Sequence, residues 1–204
     1  MAKPVTTNEN GWHVGRVGML YRDLTPDSLK SRVVVSRIRL PFDGEVPDYV
    51  HYHKVDFQMI YCKKGRIKVV YEDQGEPFWL KTGNCVLQPP EIRHRVLECT
   101  AGAEVIEVSI PAEHETWVEH DLTLPTDTLN PERDFGGQRF IHSVPENNAD
   151  GIRDTGISQA TNGIADVRIA RDGGLDGTLL LAFGGLLAEG YGALTAPISI
   201  KIPV

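Results

Sequence analysis

Three histidines and one glutamine have the types and spacing of a metal-binding set. His51 and His53 are two residues apart in a segment that is predicted to be a β-strand, so their side chains project from the same face. Gln58 opens the next predicted strand five residues later, and His94 follows a turn at Pro89-Pro90. Three neutral imidazoles favour Zn, Ni, Cu, Mn or Fe and leave positions open for water, dioxygen or substrate. We therefore predict one divalent metal ion held by the histidines, with Gln58 as a weaker fourth ligand.

The glutamine limits the chemistry of this set. An amide carries no charge and takes no proton at neutral pH, whereas a carboxylate at the position of Gln58 would both bind a metal and act as a general base. The ion would keep its full double positive charge, which favours an anionic substrate or ligand. Any proton transfer must then come from another group.

The elements that position these residues are predicted to be short β-strands. Turn residues at Pro41–Gly44, Lys63–Gly65 and Ala101–Gly102 separate β-branched and alternating segments. About eight strands at this spacing indicate a sandwich, jelly roll or small barrel, so the fold class is all-β. The clearest helical segment is one turn at Pro26–Lys30. The predicted strands are Arg32–Leu40, Asp56–Cys62, Gly65–Tyr71, Pro77–Leu80, Cys85–Gln88, Arg95–Glu98 and Glu104–Ile110.

The segment Gly44–Gly65 resembles the first of the two motifs of the cupin superfamily. In that motif a His-x-His pair and an acidic metal ligand lie between two glycines. Here the spacer after Gly44 is one residue longer than usual, and Gln58 replaces the acidic ligand.

The segment that contains His94 resembles the second cupin motif. Gly83, Pro89 and His94 fall on positions of that motif. Glu91 replaces its second glycine, and Glu98 replaces its final asparagine. Both motifs occur in the expected order and at the expected separation within about two-fifths of the chain.

The resemblance implies a cupin jelly-roll β-barrel with the metal inside one mouth. Cupins with three histidines and a weak fourth ligand include dioxygenases that act on small aromatics, flavonols or β-diketones. The resemblance therefore implies such a dioxygenase, with Fe(II) as the favoured metal and Gln58 donating a hydrogen bond. A homodimer is also expected by this resemblance.

Other interpretations of the same residues stay open. The His-x-His pair would also suit plain cross-strand packing, and a cupin that binds no metal would retain the same motifs. A non-catalytic binding or sensing module is the main functional alternative. A cupin lyase or isomerase is a further alternative, but it needs a general base that Gln58 does not provide.

The sequence pattern divides the chain into three parts. Residues 1–110 hold the predicted strands and the metal site. Residues 111–140 are polar and proline-rich, and we expect an extended connector there. Residues 141–204 are predicted to form a partial, degenerate second cupin-like lobe that packs on the first lobe or contributes to a dimer contact, with a last strand at Leu194–Val204.

A short internal repeat supports the second lobe. Arg22-Asp23 and Arg37-Ile38 recur 131 residues later as Arg153-Asp154 and Arg168-Ile169. Coincidence between two β-rich segments is the alternative explanation. In the second copy the positions of His51, His53 and Gln58 would be taken by other residues, so no second metal is expected: these are Asp176, Thr178 and Phe183.

Composition excludes several classes of partner. The formal net charge is -7 and no long Lys/Arg run is present, so binding to nucleic acid or an anionic membrane is not expected. No apolar run approaches the roughly 20 residues that span a bilayer, and the N-terminus lacks the apolar core of a signal peptide. The three cysteines lack metal-site spacing and are expected to be reduced thiols of a cytoplasmic protein.

Several further residues receive weaker predictions. The remaining histidines have no ligand spacing and are assigned to the surface: His13, His114, His120 and His142. Glu98 is a candidate for orienting a ligand histidine, or else a solvated strand residue. Four apolar or aromatic residues are candidates for the barrel interior: Met59, Tyr61, Val69 and Tyr71.

Overall fold

Two antiparallel β-sheets form most of the molecule and face each other. The structure is a computed structural model that describes residues 11–30, 32–145, 151–171, 177–183 and 198–201, the backbone alone being described for 171, 177 and 198–201. The strands of the facing sheets are β1 (His13–Val14), β2 (Leu20–Asp23), β3 (Val34–Arg39), β4 (Gly44–Glu45), β5 (His51–His53), β6 (Phe57–Lys64), β7 (Arg66–Tyr71), β8 (Phe78–Lys81), β9 (Cys85–Leu87), β10 (His94–Cys99), β11 (Glu104–Ile110), β12 (Thr116–Val118) and β13 (Ile141–Ser143).

The strand order places the histidines and the glutamine in opposite sheets. One sheet has the order β1-β2-β3-β11-β6-β9-β13, and the other has the order β12-β5-β10-β7-β8, with β4 pairing β10. A buried apolar cluster fills the space between them, with Ile60 and Val105 contributed by the first sheet and Val69 and Leu80 by the second. The barrel interior is therefore defined by residues at every second position of these strands.

A third, four-stranded sheet covers the outside of the first sheet. Its order is β14-β15-β16-β17, and a short helix, α1, joins β14 to β15. Its apolar residues, such as Val167 and Leu181, pack against Phe57 and Val108. The bounds are β14 (Gly151–Asp154), α1 (Ile157–Ala160), β15 (Ala165–Arg171), β16 (Gly177–Phe183) and β17 (Ile198–Lys201).

This packing explains why β6 is buried on both faces over all but its last residue. Met59 and Tyr61 belong to the cluster shared with the third sheet, so the prediction that they line the barrel interior is wrong. Val69 and Tyr71 do lie in the interior cluster. A strand buried on both faces offers no polar face from which its orientation can be read.

The internal repeat corresponds to one structural unit. In the first copy, β2 and β3 flank a single 3₁₀ turn at Asp27–Leu29, and Arg22 pairs with Arg37. In the second copy, β14 and β15 flank α1, and Asp154 pairs with Arg168. Both copies are thus a strand, a helical turn and an antiparallel strand, with a register that differs by one residue.

The structure refines the predicted division of the chain. Strand β13 pairs with β9, so the first sheet continues past residue 140, where the sequence pattern placed the start of the second lobe. The connector contains β12, which pairs with β5. Of the predicted last strand, residues 198–201 are described, and Asp176 lies outside the described residues. Within the ranges given above, no helix has the length and hydropathy that a membrane crossing requires.

The turn before His94 carries a residue with an unfavourable backbone conformation. Glu91 has a φ of 59°, a left-handed conformation that glycine adopts far more easily than residues with a Cβ atom. Its N–H donates a hydrogen bond of 3.1 Å to the carbonyl of His53, which ties this turn to β5. Glu91 is the residue that replaces the glycine of the second motif.

We predict that Glu91→Gly stabilises the protein by about 1 kcal/mol relative to Glu91→Ala, because glycine removes the cost of the left-handed conformation. The alanine variant is the matched control, since it removes the side chain but keeps the Cβ atom. Urea unfolding of both variants measures the difference. A glycine variant no more stable than the alanine variant would contradict this account of the turn.

Candidate metal centre

Three of the four predicted ligands lie together at one end of the barrel. His51 and His53 are the first and last residues of β5, and His94 opens β10 directly opposite His51 in the sheet register. The candidate ligand atoms of the three side chains all lie within 4.8 Å of one another. His51 and His94 are buried, and His53 is only partly buried because it borders a cavity. Within the described parts of the chain, no second cluster of this kind is present.

Main-chain carbonyls fix the orientation of the two buried rings. His51 Nδ1 lies 2.9 Å from the carbonyl oxygen of Tyr49, and His94 Nδ1 lies 2.9 Å from that of Ile92. A carbonyl only accepts, so each Nδ1 carries the hydrogen and each Nε2 presents a lone pair. This arrangement is typical of metal-binding histidines, whose second nitrogen is held by a hydrogen bond.

His53 is held by a side chain of the connector. Its Nδ1 lies 2.8 Å from the hydroxyl oxygen of Thr116, in strand β12. Thr116 is paired directly with His53 in the sheet register, so the connector contributes a supporting contact to the site. Thr116 could not be identified from the sequence, because its position depends on how the connector folds back.

The protonation states suit metal binding. Burial lowers the pKa of His51 from 6.5 to about 3 and that of His53 to about 2, with smaller effects of neighbouring positive charges. Burial likewise lowers the pKa of His94 well below its ordinary value. All three rings are therefore neutral at neutral pH. His51 Nε2 is also buried with no hydrogen-bond partner in the described chain, as expected of a nitrogen that binds a metal ion. The donor set fits a divalent transition metal.

Gln58 approaches the interior from the opposite sheet. It lies on β6, shares a face with Ile60, and is buried with 1% of its surface exposed. Its Nε2 atom has no hydrogen-bond partner among the described residues, and neither has the hydroxyl of Ser109, its direct neighbour on β11. The role of Gln58 as a fourth ligand stays a prediction.

Two cavities meet at this site. A mouth cavity of about 460 Å³ opens at His53, with Tyr21 and Tyr49 among its walls. A smaller inner cavity of about 50 Å³ reaches into the barrel between His53 and His94, and apolar side chains make up most of its walls. The mouth has the size of a small-molecule site, since such sites commonly enclose roughly 300–1,000 Å³.

Comparison with known proteins finds similarity to solved structures. No family model and no curated protein matches this chain. Among solved structures, an RmlC-like cupin from Shewanella frigidimarina is 24% identical, with a TM-score of 0.38, and the match covers 47% of this chain and 78% of that one. The polyketide cyclase RemF from Streptomyces resistomycificus is 20% identical, with a TM-score of 0.46, and the match covers 61% of this chain and 89% of that one.

A third solved structure matches a larger share of this chain. It is an oxalate decarboxylase from B. subtilis, 12% identical with a TM-score of 0.45, and the match covers 85% of this chain and 54% of that one. In this chain, two antiparallel sheets face each other, and the three-histidine cluster lies on strands of one of them. The described chain is an all-β structure of antiparallel sheets with only short helical turns. The fold class predicted from the two motifs is thus confirmed.

Glu107 is a carboxylate of the barrel that the sequence analysis missed. It lies on β11, on the interior face with Val105, and it borders both the mouth and the inner cavity. Burial raises the pKa of Glu107 from 4.5 to about 7, against the opposing effect of the Arg16 charge. Among the described residues, no other acidic side chain lines either cavity. The alternation in Glu104–Ile110 was a usable signal, because Glu107 interrupts one of its faces.

Arg16 is a second residue that the sequence analysis missed. It borders both cavities and forms an ion pair with Asp48, whose carboxylate is buried. Asp48 also accepts a hydrogen bond of 3.0 Å from the N–H of Val96, so the pair is anchored to β10. The Arg16 charge contributes to the lowered pKa values of all three ligand histidines.

The structure corrects two of the surface assignments. The His114 ring lies 5.6 Å from the His53 ring, and His13 stacks on Tyr21 at 5.8 Å. Both His114 and His13 line the mouth cavity, so assigning them to the outer surface was wrong. His120 is exposed, as predicted.

Two other assignments also change. His142 is partly buried and stacks on Phe78, with 4.3 Å between ring centroids. Glu98 Oε1 accepts a hydrogen bond of 2.7 Å from Lys68 Nζ and takes no part in orienting a histidine. A bulge between Val96 and Glu98 shifts the register, so the period of two from His94 does not extend to Glu98.

We predict that Thr116→Val weakens metal binding roughly tenfold or more, because it removes the hydrogen bond that fixes the His53 ring. Thr116→Ser keeps the hydroxyl and is the matched control, with affinity close to that of the wild type. Competition with a chromophoric chelator measures both affinities. Unchanged affinity in the valine variant would show that this contact does not support the site.

We predict that Glu107→Gln stabilises the metal-free protein at pH 8 far more than at pH 5. Because the folded pKa of Glu107 is about 7, above its ordinary 4.5, its ionisation costs no stability below pH 4.5, and the cost grows between pH 4.5 and pH 7. That cost reaches up to about 3 kcal/mol above pH 7.

Urea unfolding of the wild type and the glutamine variant at the two pH values, in the presence of a chelator, measures this effect. The control is Glu98→Gln, since that carboxylate is paired with Lys68 outside the cavities. A stability difference that does not grow with pH would show that ionisation of Glu107 does not lower the free energy of unfolding.

Proposed function

We propose that the protein is a metal-dependent dioxygenase that acts on a small aromatic, flavonol or diketone-type substrate with an acidic phenol or enol group. The observation that supports this most strongly is the convergence of three neutral imidazoles where a small-molecule-sized cavity meets an apolar inner cavity. His51, His53 and His94 would hold the ion, and Fe(II) is the metal that best suits the reaction.

The metal would polarise a substrate oxygen and supply the redox chemistry that dioxygen needs. The chain supplies the rest. Tyr21 and Tyr49 form part of the mouth wall and suit an aromatic or planar substrate. Val69 and Tyr71 line the inner cavity and exclude water from the space behind the histidines.

The charge of the site supports an anionic ligand. The three histidines are neutral, so they leave the charge of a divalent ion uncompensated, and Gln58 adds no negative charge. Arg16 adds a positive group at the mouth, although Asp48 is paired with it. A substrate that loses a proton on binding would offset part of the positive charge of the ion. The predicted homodimer stays a prediction.

A second candidate is a metal-dependent isomerase or lyase. Glu107 favours it, because such a reaction needs a proton-accepting group in the cavity and the sequence offered none. Oxygen dependence separates the two candidates, since an isomerase or lyase consumes no dioxygen. A non-catalytic binding module would show neither reaction.

The test combines metal analysis with oxygen uptake. We expect about one iron per chain after anaerobic loading with Fe(II), and oxygen uptake with at least one member of a panel of catechols, flavonols and β-diketones. His53→Ala should lose both the iron and the uptake. His120→Ala is the matched control, since His120 is exposed and outside the cluster, and it should retain both.

Each failure has a distinct meaning. Iron retention without oxygen uptake on any panel member would contradict the dioxygenase. Substrate conversion without oxygen uptake would favour the isomerase or lyase. Failure of the wild type to retain any divalent metal would contradict both enzymes and favour the binding module.

A further inference from the structure

We infer that Glu107 is the proton acceptor of this site and takes the proton that the substrate hydroxyl loses on binding. The inference rests on the proposed function in one respect, the acidic hydroxyl of the substrate. The step moves one proton from the substrate oxygen to the Glu107 carboxylate, which becomes a neutral carboxylic acid. The substrate becomes an anion, and no electrons are transferred.

The strand register places Glu107 beside the position where the cupin motif has its acidic residue. On the interior face of the paired strands β6 and β11, Ser109 lies opposite Gln58, and Glu107 lies opposite Ile60. Gln58 and Glu107 are therefore diagonal neighbours, about 7–8 Å apart, a separation that long side chains bridge. Both positions thus lie on the interior face of the same sheet.

The cavity lining supports this role independently of the register. Glu107 borders the mouth cavity and the inner cavity, and His53 borders both as well. The ligand atoms within 4.8 Å of one another belong to the three histidines alone, so Glu107 stands outside the ligand cluster. A carboxylate in that place faces a substrate at the metal without occupying a coordination position.

The surroundings of Glu107 leave its carboxylate available. On the neighbouring strands, the interior residues opposite Glu107 are Ser36 and Ile60, neither of which titrates. The titratable and charged groups that share its cavities are His13, Arg16, Tyr21, Tyr49, His53, Tyr71, His94 and His114. Arg16 is the cation among them, and its ion pair with Asp48 competes with any pairing to Glu107. The raised pKa of Glu107 agrees with a carboxylate that accepts a proton readily near neutral pH.

The neighbouring amide and hydroxyl have a complementary task. Gln58 Nε2 and Ser109 Oγ are buried with no hydrogen-bond partner in the described chain. Each can donate to an oxygen anion, which Glu107 cannot do once it is ionised. The interior face thus offers hydrogen-bond donors at Gln58 and Ser109 and a proton acceptor at Glu107.

The test counts the protons released when catechol binds. The protein is loaded with Zn(II), kept anaerobic and titrated calorimetrically at about pH 8, where free catechol is protonated and Glu107 is ionised. Buffers with different ionisation enthalpies give the net number of protons released. For the wild type we expect a number close to zero, because the negative charge of the bound catecholate raises the pKa of Glu107 further and the carboxyl group then keeps the proton. For Glu107→Gln we expect about one proton in the buffer.

Two further variants sharpen the result. Adding Gln58→Glu to the Glu107→Gln protein restores a carboxylate on the same interior face, and proton release should return toward zero. Glu98→Gln, which alters a carboxylate outside the cavities, should behave as the wild type. Zinc content measured on every sample shows that differences in proton release do not come from lost metal.

Equal proton release by the wild type and the Glu107→Gln variant would overturn the inference, and so would the absence of catechol binding to the zinc protein. The outcome is independent of the dioxygenase proposal, because zinc supports no oxygen chemistry. A failed oxygen-uptake experiment combined with the expected proton count would leave Glu107 as the acceptor in a different reaction. Oxygen uptake without the expected proton count would support the dioxygenase but would show that Glu107 does not accept the substrate proton.

Discussion

The site depends on the hydrogen bonds that the histidine Nδ1 atoms make with fixed oxygen atoms of the barrel. Two of these oxygens are main-chain carbonyls, at Tyr49 and Ile92, each two residues from the histidine that it holds. Such a carbonyl is positioned by the same backbone that carries the ring, so the tautomer and the ring direction are set together. Burial then keeps the rings neutral and leaves the lone pairs of their Nε2 atoms available to a metal ion.

The rest of the fold keeps these few contacts in place. His51 and His94 pair across β5 and β10, and the facing sheet supplies Gln58 and Glu107 from β6 and β11. The third sheet covers the outer face of β6 and β11, so these two strands are buried on both sides. A well-packed strand has little freedom to shift, and interior side chains therefore keep their positions at the cavity.

Much of the site could be predicted from local rules, and the missing part depends on long-range pairing. The two-residue period and the two motifs located His51, His53 and His94, and alternation gave the β11 bounds without error. Glu107 was missed because its importance depends on which face of β11 meets the interior, and that is set by the pairing of β11 with β3 and β6. Thr116 and His114 were missed because the connector folds back along β5, a contact between residues about sixty positions apart.

The central claim is that three Nε2 atoms bind one divalent ion at the mouth of the barrel. A crystal structure of the metal-loaded protein, with anomalous scattering recorded at the absorption edge of the metal, tests it most directly. The account predicts one anomalous peak within about 2.0–2.1 Å of Nε2 of His51, His53 and His94 for a zinc ion. A peak elsewhere, coordination through Nδ1, or no ordered ion at saturating metal would contradict it.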